Sequence, residues 1–126
     1  MDWAHSRLGH IAVRVGNLTE AHQILAETTR NFHRNENKIG LVFTLEDMVS
    51  LNVLTGEPER AARLIGWANA TREQIGDVRW RVEQSDVDHD IAAITARIGN
   101  VAFEAAYAAG QKMSLNEAIA FALNEI

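Results

Sequence analysis

The residue types best suited to chemistry here are a histidine, His10, a carboxylate pair, Glu46-Asp47, and an acidic run around a second histidine, Asp86-Val87-Asp88-His89-Asp90. A histidine held against a carboxylate can act as a general base. If His10 and Glu46-Asp47 meet across a helical hairpin, they make a small catalytic pocket; the plainer account is a solvated polar stripe. The acidic run offers oxygen ligands for a hard cation and an imidazole for a transition metal. It lacks the glycine turn and distal glutamate of a calcium loop. Carboxylates in a helix's first turn are each stabilised by about 0.3–1 kcal/mol by its dipole, so helix capping is the better account and no metal is expected. The histidines show no HxxxH spacing, with His5 and His10 five apart and His22 and His33 eleven apart. Of the serines Ser6, Ser50, Ser85 and Ser114, the last two fit helix caps. There is no GxSxG elbow, no GxxxxGK[ST] phosphate loop and no cysteine. The expectation is a protein that is not an enzyme and holds no cofactor.

The elements carrying these residues are helices. The chain has 126 residues, one domain's worth, an apolar fraction of 47% and a single proline, with no alternating β-branched runs. The first helix is expected over about 2–15, burying Leu8, Ile11, Ala12 and Val15. The second spans about 18–34 on Ala21, Ile24, Leu25, Thr28 and Phe32. The third, about 38–54, is apolar around most of its circumference and is expected to be the most buried, the spine of the domain. Pro58 opens a fourth, to about Ile75, on Ala61, Leu64, Ile65 and Ala68, with Gly76 as its C-terminal cap. An irregular connection over 77–84 holds Trp80. A fifth helix is then expected to start at Ser85, with Ser85 and Asp88 spaced as a capping box and Val87, Ile91, Ile94 and Ile98 inside. Gly99 stops it. A sixth helix, about 100–109, ends at Gly110, and Ser114-Leu115-Asn116-Glu117 caps a seventh.

Two stretches forty residues apart repeat one another. Gly16-Asn17-Leu18-Thr19-Glu20-Ala21 precedes Ile24-Leu25, and Gly56-Glu57-Pro58-Glu59-Arg60-Ala61 precedes Leu64-Ile65. Such self-similarity marks a repeat architecture, in which each hairpin stacks on the next because it cannot bury its apolar face alone. The fold class expected is all-α, an α-hairpin stack of about seven helices in one domain over 1–126. Repeat one covers about 2–35, repeat two about 38–76, and degenerate helices 85–126.

The first repeat resembles a tetratricopeptide repeat. Leu8-Gly9 falls on its large-small pair, Gly16 on its inter-helix glycine, Ala21 and Leu25 on the small and bulky positions of its second helix. The second repeat keeps Gly56, Ala61, Ile65 and Ala68, with Met48-Val49 in place of leucine–glycine. The segments from Pro58 to Gly66 and from Phe103 to Ala118 are similar to the C-terminal tetratricopeptide-like region of bacterial signalling (STAND-type) ATPases, including LuxR-family and related transcriptional regulators. That resemblance implies a regulatory arm sensing a protein or effector, with ATP hydrolysis and DNA binding located elsewhere in such proteins.

The function expected is a non-catalytic protein–protein interaction or effector-sensing module. The alternatives are a self-associating scaffold, or a small helical enzyme using His10, Glu46 and Asp47. A net charge of −5 with scattered Lys and Arg argues against direct nucleic-acid binding. No run reaches the roughly 18 apolar residues of a membrane span, the N-terminus lacks a signal peptide, and a cytoplasmic protein is expected. In tetratricopeptide stacks the first helix of each hairpin lines the concave surface. The partner-binding face is accordingly placed on Trp3, Ser6, His10 and Arg14 of the first helix and Phe43, Glu46, Asp47 and Ser50 of the third, suiting a peptide with apolar and charged side chains. Trp3 is a candidate anchor for a homodimer through the N-terminal hairpin. Trp67, off the fourth helix's apolar face, is expected to be exposed or at a neighbouring subunit, unless it caps the core.

Overall fold

A computed structural model describes residues 2–124. They form six helices: α1 (Asp2–Arg14), α2 (Leu18–Arg34), α3 (Lys38–Leu54), α4 (Pro58–Ile75), α5 (Arg81–Gln111) and α6 (Leu115–Ala122). No strand occurs among the described residues. Successive helices pack on one another from α1 to α5, and α1 and α5 also lie against α3. The result is an all-α stack of hairpins joined by short turns.

Gly16 and Gly56 occupy the same left-handed conformation, with φ of 80° and 79°. The two halves of the sequence repeat are therefore the same turn made twice. The expected stop at Gly99 is present inside α5, so the seven helices expected correspond to these six with α5 counted as two. Gly99, at φ 84° and ψ 166°, is not helical, and it breaks α5 into two arms.

The core runs through the middle of the stack. Ala21, Leu25, Leu45, Ala61, Leu64, Ile65, Ala68 and Ile94 are fully buried in one cluster. A smaller cluster of Phe32, Leu41 and Ile119 seats α6 against α2 and α3. Arg60 and Arg63 stack over Phe121 at 4.1 and 4.8 Å, and Arg60 donates to the Phe121 carbonyl, which fastens α6 to α4. The Ser114 hydroxyl accepts from the Glu117 N–H at 3.1 Å while the Glu117 carboxylate accepts from the Ser114 N–H at 2.8 Å, the expected capping box. The tightest packing joins α4 to the second arm of α5. A Cβ on Gly66 would stand 2.2 Å from the Tyr107 carbonyl oxygen, and one on Gly110 would stand 1.8 Å from that of Arg63.

Several expectations are corrected. α1 buries Ser6, Gly9, Ala12 and Val13, whereas Leu8, Ile11 and Val15 are exposed. The reason is the glycine: Gly9 brings the α1 backbone onto Ile24 and Leu25 of α2, and that approach fixes which face turns inward. Trp67 is 3% exposed, inside the core and not on the surface. α3 is well buried, but α4, held between α3 and α5, carries the longer run of buried residues. Helix α5 begins at Arg81, one turn before Ser85. Glu83 accepts from the Trp80 N–H at 3.3 Å at its start, so Ser85-Asp88 is not the capping box.

Candidate functional site

One cleft gathers all eight residues assigned to the concave face. It encloses about 470 Å³ between α1, α3 and the first turns of α5. Its walls repeat with the period of the sequence. Positions 3, 6, 7 and 10 of α1 are Trp3, Ser6, Arg7 and His10; forty residues later α3 offers Phe43, Glu46, Asp47 and Ser50; forty later again α5 offers Glu83, Asp86, Val87 and Asp90. All twelve line the cleft, with Val13, Arg14, Trp80 and Val82 completing its lining. Equivalent faces of three stacked helices thus make one surface.

The α5 wall lies outside the face expected from the sequence. The forty-residue offset between Gly16 and Gly56, continued once more, points to 83, 86, 87 and 90. No glycine marks the third turn at the matching place, where the sequence has Ala96, and starting the helix at Ser85 reads the acidic run as a first-turn cap. In the structure the run sits deeper in the helix. Asp86 and Asp90 face the cleft, while Asp88 is exposed and accepts from the Gln84 side chain at 2.8 Å. Among the described residues no group of histidine and carboxylate side chains has the arrangement of a metal site.

The walls are joined by pairs that cross from helix to helix. His10 Nδ1 lies 2.7 Å from Asp47 Oδ1, tying α1 to α3. Ser50 Oγ donates to Asp90 Oδ2 at 2.6 Å, tying α3 to α5. Arg14 pairs with Asp86 at 3.2 Å, tying α1 to α5. At the α1–α3 end, Trp3 stacks in a tilted contact on Phe32 at 5.1 Å and edge-on to Phe43 at 5.8 Å. The indole is 48% exposed, so one side of it closes the aromatic cluster and the other remains open.

Burial and pairing set the ionisation of these groups. The hydrogen bond to Asp47 raises the His10 pKa above the usual imidazole value, overcoming the partial burial that would lower it. Burial raises Asp47 above the usual carboxylate range, and His10 pulls it only part of the way back. Asp90 is likewise raised by burial, partly offset by the Ser50 hydroxyl.

Glu46 does different work from its neighbours. Its carboxylate accepts from Arg72 at 2.7 and 2.9 Å and from Arg79, whose guanidinium also reaches the Asn69 side-chain oxygen. Arg72 pairs in addition with Asp77, and Asn69 donates to the Tyr107 hydroxyl at 2.9 Å. The side chains of Arg72, Arg79 and Glu46 are 5, 7 and 11% exposed. This network pins the α4–α5 connection to α3 and thereby holds Trp80 and Val82 at the mouth of the cleft.

Comparison with known proteins gives a partial likeness. Three proteins provisionally described as HTH-type transcriptional regulators, one from Mycobacterium bovis and two from strains of Mycobacterium tuberculosis, are 30% identical to this chain over 83 residues, or 66% of its length. The chain spans about 9% of the length of those relatives. No family model matches it, and no solved structure matches it. No helix of the described residues is long and apolar enough to cross a membrane. Part of the chain is thus related to a small portion of regulators of transcription.

Proposed function

We propose that the chain is a tetratricopeptide-like sensing module, a non-catalytic arm whose three-helix cleft holds an effector and whose occupancy is read by a transcriptional regulator. The observation that carries this reading is the recurrence of the lining positions. Structural helices need only one buried face, yet α1, α3 and α5 each turn a second, equivalent face into a shared concavity of ligand size, aromatic and charged on α1 and α3 and mainly acidic on α5. The likeness to regulators of transcription supports the regulatory setting.

The test is a thermal-shift screen of the chain against peptides and small metabolites, run in parallel on Trp3→Ala and Asp90→Asn. A ligand at a hundred times its Kd stabilises by about 2.7 kcal/mol. Stabilising ligands whose effect disappears in the variants support the reading. Ligands that stabilise variants and parent alike place binding elsewhere and overturn it.

An enzyme is the second reading, on one observation: His10 and Asp47 form a hydrogen-bonded dyad inside the cleft. A dyad of this kind needs a nucleophile or a substrate proton within reach. Ser50, the hydroxyl on the same wall, donates instead to Asp90, and Glu46 is committed to two arginines.

A further inference from the structure

The charges of the cleft are segregated by helix. α1 contributes only bases, Arg7, His10 and Arg14; α3 and α5 contribute only acids, Glu46 and Asp47 from one and Glu83, Asp86 and Asp90 from the other. Glu46 is neutralised from behind by Arg72 and Arg79, and Asp86 from across the cleft by Arg14. Asp47 faces His10, and the hydrogen bond found at the Asp90 carboxylate comes from the neutral Ser50 hydroxyl. Asp90 is 9% exposed. A buried carboxylate gains most from a positive partner, because the low-dielectric surroundings strengthen the attraction that water would screen. The aromatic face of Trp3, the ring of Phe43 and the Trp80 indole stand around the same hollow, and a ring's face attracts cations as well as apolar groups.

We infer that the cleft takes a small organic cation, a protonated amine borne on a ring-sized apolar body, with the ammonium directed to Asp90 and the body toward Trp3, Phe43 and Trp80. The inference rests on the cleft being the binding site and assigns the class of its ligand. The volume of about 470 Å³ is that of a small-molecule pocket, and it favours a free amine over a length of polypeptide. Burial raises the Asp90 pKa, and a cation beside the carboxylate would favour its charged form.

The test uses three probes of nearly the same shape: phenethylamine, 3-phenylpropionate and 2-phenylethanol. Each is titrated into the ¹⁵N-labelled chain while the indole N–H signals of Trp3, Trp67 and Trp80 are followed by NMR. The expected result is movement of the Trp3 and Trp80 signals by phenethylamine, with the buried Trp67 unmoved and the other two probes at least about tenfold weaker, the discrimination that a hydrogen bond to a charged group provides. Asp90→Asn, which keeps an acceptor for Ser50, should weaken phenethylamine by about tenfold. Equal or tighter binding of 3-phenylpropionate, or equal response to all three probes, overturns the cationic assignment while leaving the cleft as a binding site. Preference for an acetylated Gly-Arg-Gly amide over phenethylamine overturns the small-molecule assignment. No movement of Trp3 and Trp80 by any probe overturns both the inference and the reading of the cleft on which it rests.

Discussion

His10 and Asp47, thirty-seven residues apart, are joined at 2.7 Å across the α1–α3 wall, and each holds its proton more tightly than an isolated group would. The pair is an imidazolium–carboxylate between the two titrations. A group whose folded pKa is raised contributes stability that is complete below its unfolded pKa and is lost as pH rises through the folded value. For Asp47 and Asp90 that loss begins in the carboxylate range; for His10 it begins above about pH 6.5. The melting midpoint should fall as pH is raised from 6.5 toward 8.5. His10→Asn should flatten that upper limb and, by removing the imidazole that draws the Asp47 pKa part of the way back, steepen the lower one. Parallel curves for parent and variant above pH 6.5 would mean that the hydrogen bond does not control the proton.

Two acidic residues of the cleft should differ sharply in what they cost to remove. Glu46→Ala leaves Arg72 and Arg79 buried without their shared carboxylate and should destabilise by about 3–5 kcal/mol. Asp86→Ala breaks a pair with an arginine that is 58% exposed, worth about 0–1 kcal/mol. Urea unfolding of both variants measures the contrast. Similar costs would remove the distinction between a pinned strap and a solvated rim.

The crossing of α4 and α5 should be intolerant of one methyl group. Gly66→Ala and Gly110→Ala each drive a Cβ into a backbone carbonyl, which cannot rotate away, and the expected loss is about 3 kcal/mol or more for each. Gly9→Ala meets the flexible end of Leu25 and should cost less. A midpoint of chemical unfolding for Gly66→Ala no lower than that of Gly9→Ala would contradict the packing described.

At Gly99 the obstacle to a side chain is the backbone conformation and not space, since nothing lies within 4 Å of where an added Cβ would stand. A φ of 84° with a ψ of 166° is open essentially to glycine alone. Gly99→Ala should therefore cost about 1–3 kcal/mol. Should the variant prove as stable as the parent, the break in α5 is not required for the fold.

How much of the molecule is legible in its sequence depends on how local each cause is. The turns at Gly16 and Gly56 announce themselves because a glycine and the alanine five residues later carry the whole signal. The positions of α1 and α3 that the sequence offers as inward-facing lie together in the cleft. What the sequence hides is non-local. Leu8, Ile11 and Val15 form a good apolar stripe, but the close approach of Gly9 to Leu25 decides which face is inside, and that depends on a partner helix. Trp67 lies off the helix's apolar stripe, and it is buried by tertiary packing that the α4 pattern does not show. The third wall is concealed because Asp86 and Asp90 look like dipole-stabilising caps until the helix is known to start at Arg81.

The forty-residue recurrence of the cleft has a genetic corollary. Each wall is written in its own uninterrupted stretch of the chain, with α1 before Gly16, α3 before Gly56 and the first arm of α5 before Gly99. A recombination event that exchanged one such stretch would replace one side of the hollow and leave the other two untouched, provided the residues that meet the neighbouring helix were kept. The shape of the hollow can change by cassette, one wall at a time, where a hollow assembled from scattered loops would have to change everywhere at once.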